Sequence, residues 1–273
     1  MSTHVLLGAP NLERVDKIEI EPQMVMAARV FESVIPRAFS DPRGHLQFED
    51  ARTFFSSQRT RYDLIFSEPS NPWVSGIATL FTREFYGRID RGLNTGGLYV
   101  QWIYGYEISL PLVATIVTAL GDSFEDYALY NLNERDLLFV AGKRGVGRLD
   151  PQAVLQMPDV AADLAKIGVL HAQDFDSRFL GTRSVLESLF ASYRMPANSD
   201  YFPVFDLGAV RARLLREDVS ALFKLGRASL PILPMLEPQR AGVQGATLTP
   251  MPLFRQSVAA NAVREFMRSI DDP

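Results

Sequence analysis

Carboxylates stand at the ends of three short apolar runs. DKIEIE (16–21) closes on Glu19 and Glu21, HLQFED (45–50) on Asp50, and RYDLIFSE (61–68) on Glu68. Read as parallel strands, these runs bring acids from three neighbouring strands to one rim, where open α/β sheets hold their ligands. A carboxylate accepts hydrogen bonds and donates none, so the rim suits a polar ligand with hydroxyl or amino groups. Each acid also has a plainer use: Asp50 precedes ARTFFSS and can cap a helix N-terminus. Glu68 opens the stretch EPSNPW, in which Pro69 and Pro72 each fix their own φ and stiffen the loop that carries the acid. Trp73 then offers a ring face to a cation, or anchors the loop in the core.

The elements that must position these residues follow from periodicity. From residue 16 to about 144, short apolar runs alternate with amphipathic segments. QMVMAARVFESV puts Met24, Ala27, Ala28 and Phe31 on one helical stripe. TLFTREFYGRIDRGL has Thr79 as N-cap and Phe81, Phe85 and Ile89 on one face. GGLYVQWIYG (96–105) is a strand opened by a glycine pair, SLPLVATIVTAL from Ser109 is a buried helix, and DYALYNLN and RDLLFVAGK form a hairpin turning near Glu134. Alternation of strand and helix predicts a Rossmann-like α/β fold: a mostly parallel sheet covered on both faces, with one antiparallel strand at an edge. The predicted domains are an α/β domain over 1–144, a helical extension over 145–229, and a Pro/Gly-rich linker with an amphipathic C-terminal helix over 230–273, the helix docking on its own chain.

Composition narrows the chemistry. A formal net charge of -4 with scattered Lys and Arg argues against a nucleic-acid partner and for a small, cationic one. There is no cysteine, which removes disulfides, thiolate metal sites and a cysteine nucleophile. His4, His45 and His171 lie far apart, so no histidine metal cluster is expected. No run approaches the ~20 apolar residues of a membrane span, and MSTHVLLGAPNLERVD lacks the layout of a signal peptide; the expected location is cytoplasmic.

The segments VDKIEIEP, FEDARTFF, YDLIFSEPSNPW, LFTREFY, LNTGGLYVQW and, later, ANSDYFP occur in an order that resembles the spermidine synthase-like family, including bacterial versions fused to a membrane region. The resemblance covers about residues 3–206. It implies the class I S-adenosylmethionine-dependent transferase fold, and a chain that is cytoplasmic or the soluble part of a larger membrane-associated protein. It implies that Glu19 hydrogen-bonds the ribose hydroxyls of the nucleoside, that Asp50 and Ala51 hold the adenine amino group, and that Glu68 orients the attacking amine and takes its proton. Asn71, Trp73, Gln101 and Asp200 become candidate acceptor-binding residues, and Tyr99, Tyr104 and Tyr106 are either acceptor-pocket or core residues. The implied donor is decarboxylated S-adenosylmethionine or S-adenosylmethionine, with no metal; the partner is a small amine or other small nucleophile. The resemblance is compatible with a homodimer.

Three departures from the family pattern bear on function. Glu68 stands where the family has aspartate, and Asn71 where it has a second acid, which removes one negative charge that would bind a diamine. After Gln101 the family's Gly-Glu is Trp102-Ile103. The segment MSTHVLLGAP resembles the first helix of the family, the part just after its first strand and glycine-rich turn, so the expectation is an N-terminally truncated chain, less stable than a complete relative. The functional readings at this point are aminopropyl transfer to an amine, methyl transfer from S-adenosylmethionine, and a non-catalytic nucleoside-binding or scaffold domain.

Overall fold

The structure, a computed structural model, describes residues 1–226 apart from Ser75, Glu134 and 147–149. The linker and amphipathic helix expected over 230–273, and the turn residue Glu134, lie outside the described residues. In chain order the elements are α1 (Ser2–Leu6), β1 (Val15–Glu19), α2 (Pro22–Ala28), α3 (Arg37–Ser40), β2 (Gly44–Phe48), α4 (Ala51–Ser57) and β3 (Tyr62–Ser67). Next come α5 (Arg83–Gly92), β4 (Leu93–Tyr104), α6 (Leu110–Gly121), β5 (Asp126–Asn131) and β6 (Asp136–Gly142). The remainder comprises α7 (Pro151–Leu155), α8 (Pro158–Ala165), α9 (Ala172–Asp176), β7 (Phe179–Thr182), α10 (Arg183–Ser192), α11 (Val204–Leu215) and α12 (Ser220–Gly226). Among the described residues no helix is long and apolar enough to cross a membrane. The chain is mixed α/β and divides into two compact units, Met1–Arg59 with Gly147–Ser177 and Thr60–Val146 with the residues from Arg178 on.

In the first unit, β1 and β2 pair in parallel, Val15 opposite Gly44 and Glu19 opposite Phe48. Glu21 caps α2 by accepting from the Gln23 N–H, and Pro22 fits the first helical position, where no N–H is needed. The apolar stripe read on this segment is exposed, Met24 and Phe31 each 60% accessible, and Phe31 lies in a 3-10 turn past the end of α2. Arg43 gathers the chain after α1, donating to the carbonyls of Leu7, Ala9 and Leu12, the last two at 3.0 and 3.1 Å. Its guanidinium also hydrogen-bonds the Asp41 side chain, which, together with a bond from the Arg43 N–H, holds that carboxyl down to about 2.

A buried charge cluster joins the two chain segments of this unit. Asp163 of α8 accepts from Lys166 Nζ at 2.7 Å, lies 3.2 Å from His4 Nε2 and pairs with the Arg37 guanidinium. Arg37 in turn donates Nε–H to the His4 carbonyl at 3.0 Å, and Asp159 lies 3.7 Å away from it. Burial alone would raise the Asp163 carboxyl, but Lys166, Arg37 and His4 together hold it below the ordinary value. A carboxyl depressed in the folded state stabilises fully above its unfolded pKa of about 3.9, and that contribution is lost as pH falls through the lower folded value. Protection of the α1 and α8 amides from hydrogen exchange should therefore fall between pH 5 and the acid range, and Asp163→Asn should flatten that dependence. Equal slopes in the two proteins would remove Asp163 as its cause.

The second unit contains a sheet in the order β3-β4-β6-β5-β7. β3 and β4 are parallel, β6 is antiparallel to both β4 and β5, and β7 is antiparallel to β5. Two strands thus run against the other three, β6 inside the sheet and β7 at its edge, and β7 is a strand within the stretch expected to be helical. β7 covers what would otherwise be an open edge of β5, with Phe179 packed on Tyr130 at 5.4 Å between ring centroids. Gly96 adopts φ +83°, and a Cβ on Gly97 would meet the carbonyl oxygens of Tyr62 and Asp63 at 3.0 and 3.2 Å. The register of β3 against β4 shifts at this point, between Tyr62 and Leu64.

Alternation along β4 sorts its side chains. Tyr99, Gln101 and Ile103 are buried, whereas Val100, Trp102 and Tyr104 are half-buried on the opposite face. α6 is buried nearly all round, through Leu112, Val113, Ala114, Ile116, Ala119 and Leu120 among others. The cap of α5 is Thr82, whose Oγ1 accepts from the Phe85 N–H, and not Thr79, because a 3-10 turn over Ile77–Phe81 precedes the helix. α11 ends where Arg216 takes a left-handed φ of 54°, which separates it from α12.

Candidate functional site

In the first unit, the structure brings Glu19, Asp50 and Ala51 to the carboxyl ends of two adjacent parallel strands. The Glu49 N–H donates to the Glu19 carbonyl at 3.1 Å, which continues the ladder up to the acids. Glu19 Oε1 accepts from the Glu21 N–H at 2.9 Å. Its Oε2 takes no donor among the described residues. Asp50 caps α4, its Oδ1 accepting from Thr53 N and Thr53 Oγ1 at 2.9 and 3.1 Å, and Ala51 begins the helix. The capping use and a ligand-holding use share this carboxylate, since its Oδ2 remains for an outside donor.

Glu68, Asn71, Trp73, Gln101 and Asp200 belong to the second unit. Glu68 is exposed at the carboxyl end of β3, and both prolines of its loop are buried, which pins the loop at two points. Asn71 Oδ1 is shielded from solvent without a hydrogen-bond partner. Trp73 lies edge-on to Tyr106, with 6.5 Å between centroids, and its ring face carries the Arg213 guanidinium at 4.8 Å. The cation expected at this ring is therefore present as one of the chain's own side chains. Tyr106 lies edge-on to Tyr104, with 5.0 Å between centroids, and Tyr104 packs on Trp102 at 4.3 Å. Burial pushes the Tyr104 phenol up, and Tyr106, Asp136 and Glu68 add to it.

Gln101 and Tyr99 face the other way. Gln101 is fully buried; its Oε1 accepts from the Tyr86 hydroxyl at 2.6 Å and its Nε2 donates to the Leu80 carbonyl at 3.2 Å. A ligand that used this amide would have to displace both bonds. Tyr99 is stacked on Phe124 at 5.7 Å in the core. Asp200 is exposed, and its backbone N–H donates to Glu84 Oε2 at 2.9 Å.

Two residues escaped the sequence reading. Asn198, in the motif that drew attention to Asp200, is fully buried and bonds three separate segments. Asp136 opens β6, and an acid at the amino end of a strand gives no signal until the register with Tyr104 is known. A cavity of about 360 Å³ in the first unit, lined by Gln152, Leu155, Leu170, His171, Ala172 and Gln173, includes none of the candidate residues. Among the described residues no group of three His, Asp or Glu side chains could hold a metal ion.

Residues 3–133, which contain both strand-end acids and the Glu68 loop, match the spermine/spermidine synthase domain. Over this part the chain is similar to that domain. A polyamine aminopropyltransferase from Nitrosomonas europaea is 32% identical to it over 120 residues, covering 44% of this chain and 37% of that protein. One from Clostridium perfringens is 36% identical over 91 residues, covering 33% and 32%. The chain thus spans about a third of the length of the curated relatives it matches. Among solved structures, the spermidine synthase from Thermotoga maritima is 16% identical, with a TM-score of 0.45 over 60% of this chain and 62% of that one.

Proposed function

We propose that the chain transfers an aminopropyl group from decarboxylated S-adenosylmethionine to a small amine in polyamine metabolism. The observation that carries this reading is Glu68, an exposed carboxylate at the carboxyl end of a parallel strand, on a loop pinned by Pro69 and Pro72 whose Trp73 lies edge-on to Tyr106. The first unit supplies Glu19 for the ribose hydroxyls and Asp50 with Ala51 for the adenine amino group. Glu19 Oε2 and Asp50 Oδ2 are the oxygens left for these donors.

An acceptor amine is protonated at neutral pH and cannot attack until the proton leaves. Glu68 binds the ammonium and takes one proton. The freed lone pair forms a C–N bond at the propyl carbon next to sulfur while the C–S bond breaks. The electron pair of that bond stays on sulfur, which converts the sulfonium to the neutral thioether of methylthioadenosine. The step needs positioning more than covalent help from the protein. The reading takes a small amine as partner, no nucleic acid and a cytoplasmic setting.

Calorimetric titration with decarboxylated S-adenosylmethionine, S-adenosylmethionine and methylthioadenosine tests the nucleoside site. The expected result is saturable binding of the decarboxylated donor, weakened at least tenfold by Glu19→Ala, with aminopropylated amine as the product when an acceptor is added. Preference for S-adenosylmethionine with methylated product would replace aminopropyl by methyl transfer. Absence of binding by the folded chain would overturn the enzymatic reading and leave a scaffold.

A further inference from the structure

α11 is held by one face. Phe205, Ala209 and Ala212 are buried, and the Phe205 ring packs on Phe81 with 5.0 Å between centroids. The opposite face carries Leu207, Val210 and Leu214, which follow one another at the three- and four-residue spacing of a helical stripe. They are 75%, 51% and 78% exposed, and Leu215 at the margin of the stripe is exposed as well. A single exposed leucine is ordinary on a protein surface, but an apolar stripe along a fixed helix marks a face that something covers. Helix propensity does not account for it, since lysine, glutamine or glutamate serve an exposed helical position about as well as leucine and better than valine.

The sequence beyond the described residues contains a segment that matches this face. In FRQSVAANAVREFMRSI (254–270), Val258, Ala262, Phe266 and Ile270 recur every four residues, with Ala259, Val263 and Met267 beside them. Glu265 flanks that apolar set as the exposed Arg211 flanks the stripe of α11, so opposite charges can meet at the margin of a facing pair. The chain also leaves the second unit close to the stripe. α12 follows α11 after four residues and has seven of its own, a length of about 10 Å, and the described chain ends with it. The 27 residues over 227–253 can span up to about 90 Å. That is several times the length of α11, about 18 Å. A tethered segment meets its site at an effective concentration of up to about 1 mM, which favours it over a second copy of the chain at micromolar concentration.

We propose that residues 254–270 form a helix that docks its apolar side on the Leu207, Val210 and Leu214 face of α11 in the same chain. α11 then lies between two layers, with α6 and the 3-10 turn over Ile77–Phe81 on one side and the C-terminal segment on the other.

The test is amide hydrogen exchange of the full chain, read at residues 254–270. The expected result is exchange at least tenfold slower than in a free peptide of the same residues, at two protein concentrations a hundredfold apart. Leu207→Lys combined with Leu214→Lys should bring the segment to within threefold of the peptide. The α6 amides should be unchanged, because both leucines lie outside the packed face of α11. Phe266→Lys, which leaves α11 untouched, should release the segment equally, and it decides the matter if the double variant does not fold. Exchange in the wild type as fast as in the peptide, or protection that survives either set of lysines, would overturn the docking. Protection confined to the higher concentration, with a dimer in sedimentation, would overturn it in favour of a second copy of the chain.

Discussion

Asn198→Ala is expected to lower the stability of the second unit by about 3 kcal/mol, since each buried polar group left without its partner costs about 1–3 kcal/mol. The Asn198 side chain donates Nδ2–H to the carbonyls of Ala78 and Phe81, at 3.3 and 3.1 Å, and its Oδ1 accepts from the Phe205 N–H at 3.1 Å. Its backbone adds an N–H to the Thr115 carbonyl at 3.2 Å and accepts from the Arg83 N–H at 2.9 Å. One residue therefore ties the 3-10 turn before α5, the middle of α6 and the start of α11. Phe81 and Phe205, with ring centroids 5.0 Å apart, pack beside it. The measurement is the urea midpoint of the wild type and the variant. Asn198→Asp, which keeps the acceptor for Phe205 but loses both donors, should also be destabilised. A shift under about 0.5 kcal/mol for the alanine variant, the size of an ordinary surface substitution, would show that water or relaxation replaces the staple.

Glu68→Gln is expected to reduce the turnover rate by about 10³-fold, within the 10²–10⁴ range that general bases contribute. Glutamine keeps the length and planarity of the side chain, so the loop anchored by Pro69 and Pro72 should be undisturbed and the urea midpoint unchanged. What is lost is the proton acceptor. The signature is in the pH profile of the variant. The variant's residual rate should rise as the amine itself begins to lose its proton in alkali. A variant within threefold of the wild type at neutral pH would remove Glu68 from the chemistry.

The parts of this protein that are legible in its sequence are those written in local periodicity. Strands β1 to β6 are marked by apolar runs and their flanking Pro and Gly residues, and α6 by an unbroken apolar segment. The strand-end positions of Glu19, Asp50 and Glu68 come directly from these. What escapes depends on pairings distant in sequence. β7 is four residues long and joins a sheet whose other strands end at Gly142, so nothing local separates FLGT from the helix after it. Gln101 and Trp102 are neighbours in sequence, but strand alternation sends the first to the core and the second to the face that carries Tyr104. Asp136 acquires its meaning only from the residue opposite, and Asn198 only from three segments that converge on it.

The order in which the two units are written along the chain has a consequence for synthesis. Residues 1–59 complete their unit only with 147–177, while the intervening segment begins the other unit. During translation at roughly 5–20 residues per second, the first 59 residues leave the ribosome about ten seconds before the segment carrying Asp163 reaches them. Through that interval His4 and Arg37 lack their buried anion, and the exposed apolar residues Met24 and Phe31 are available to other nascent chains. Yield from a living cell should therefore respond to translation speed and to chaperone supply, even where the finished protein is stable.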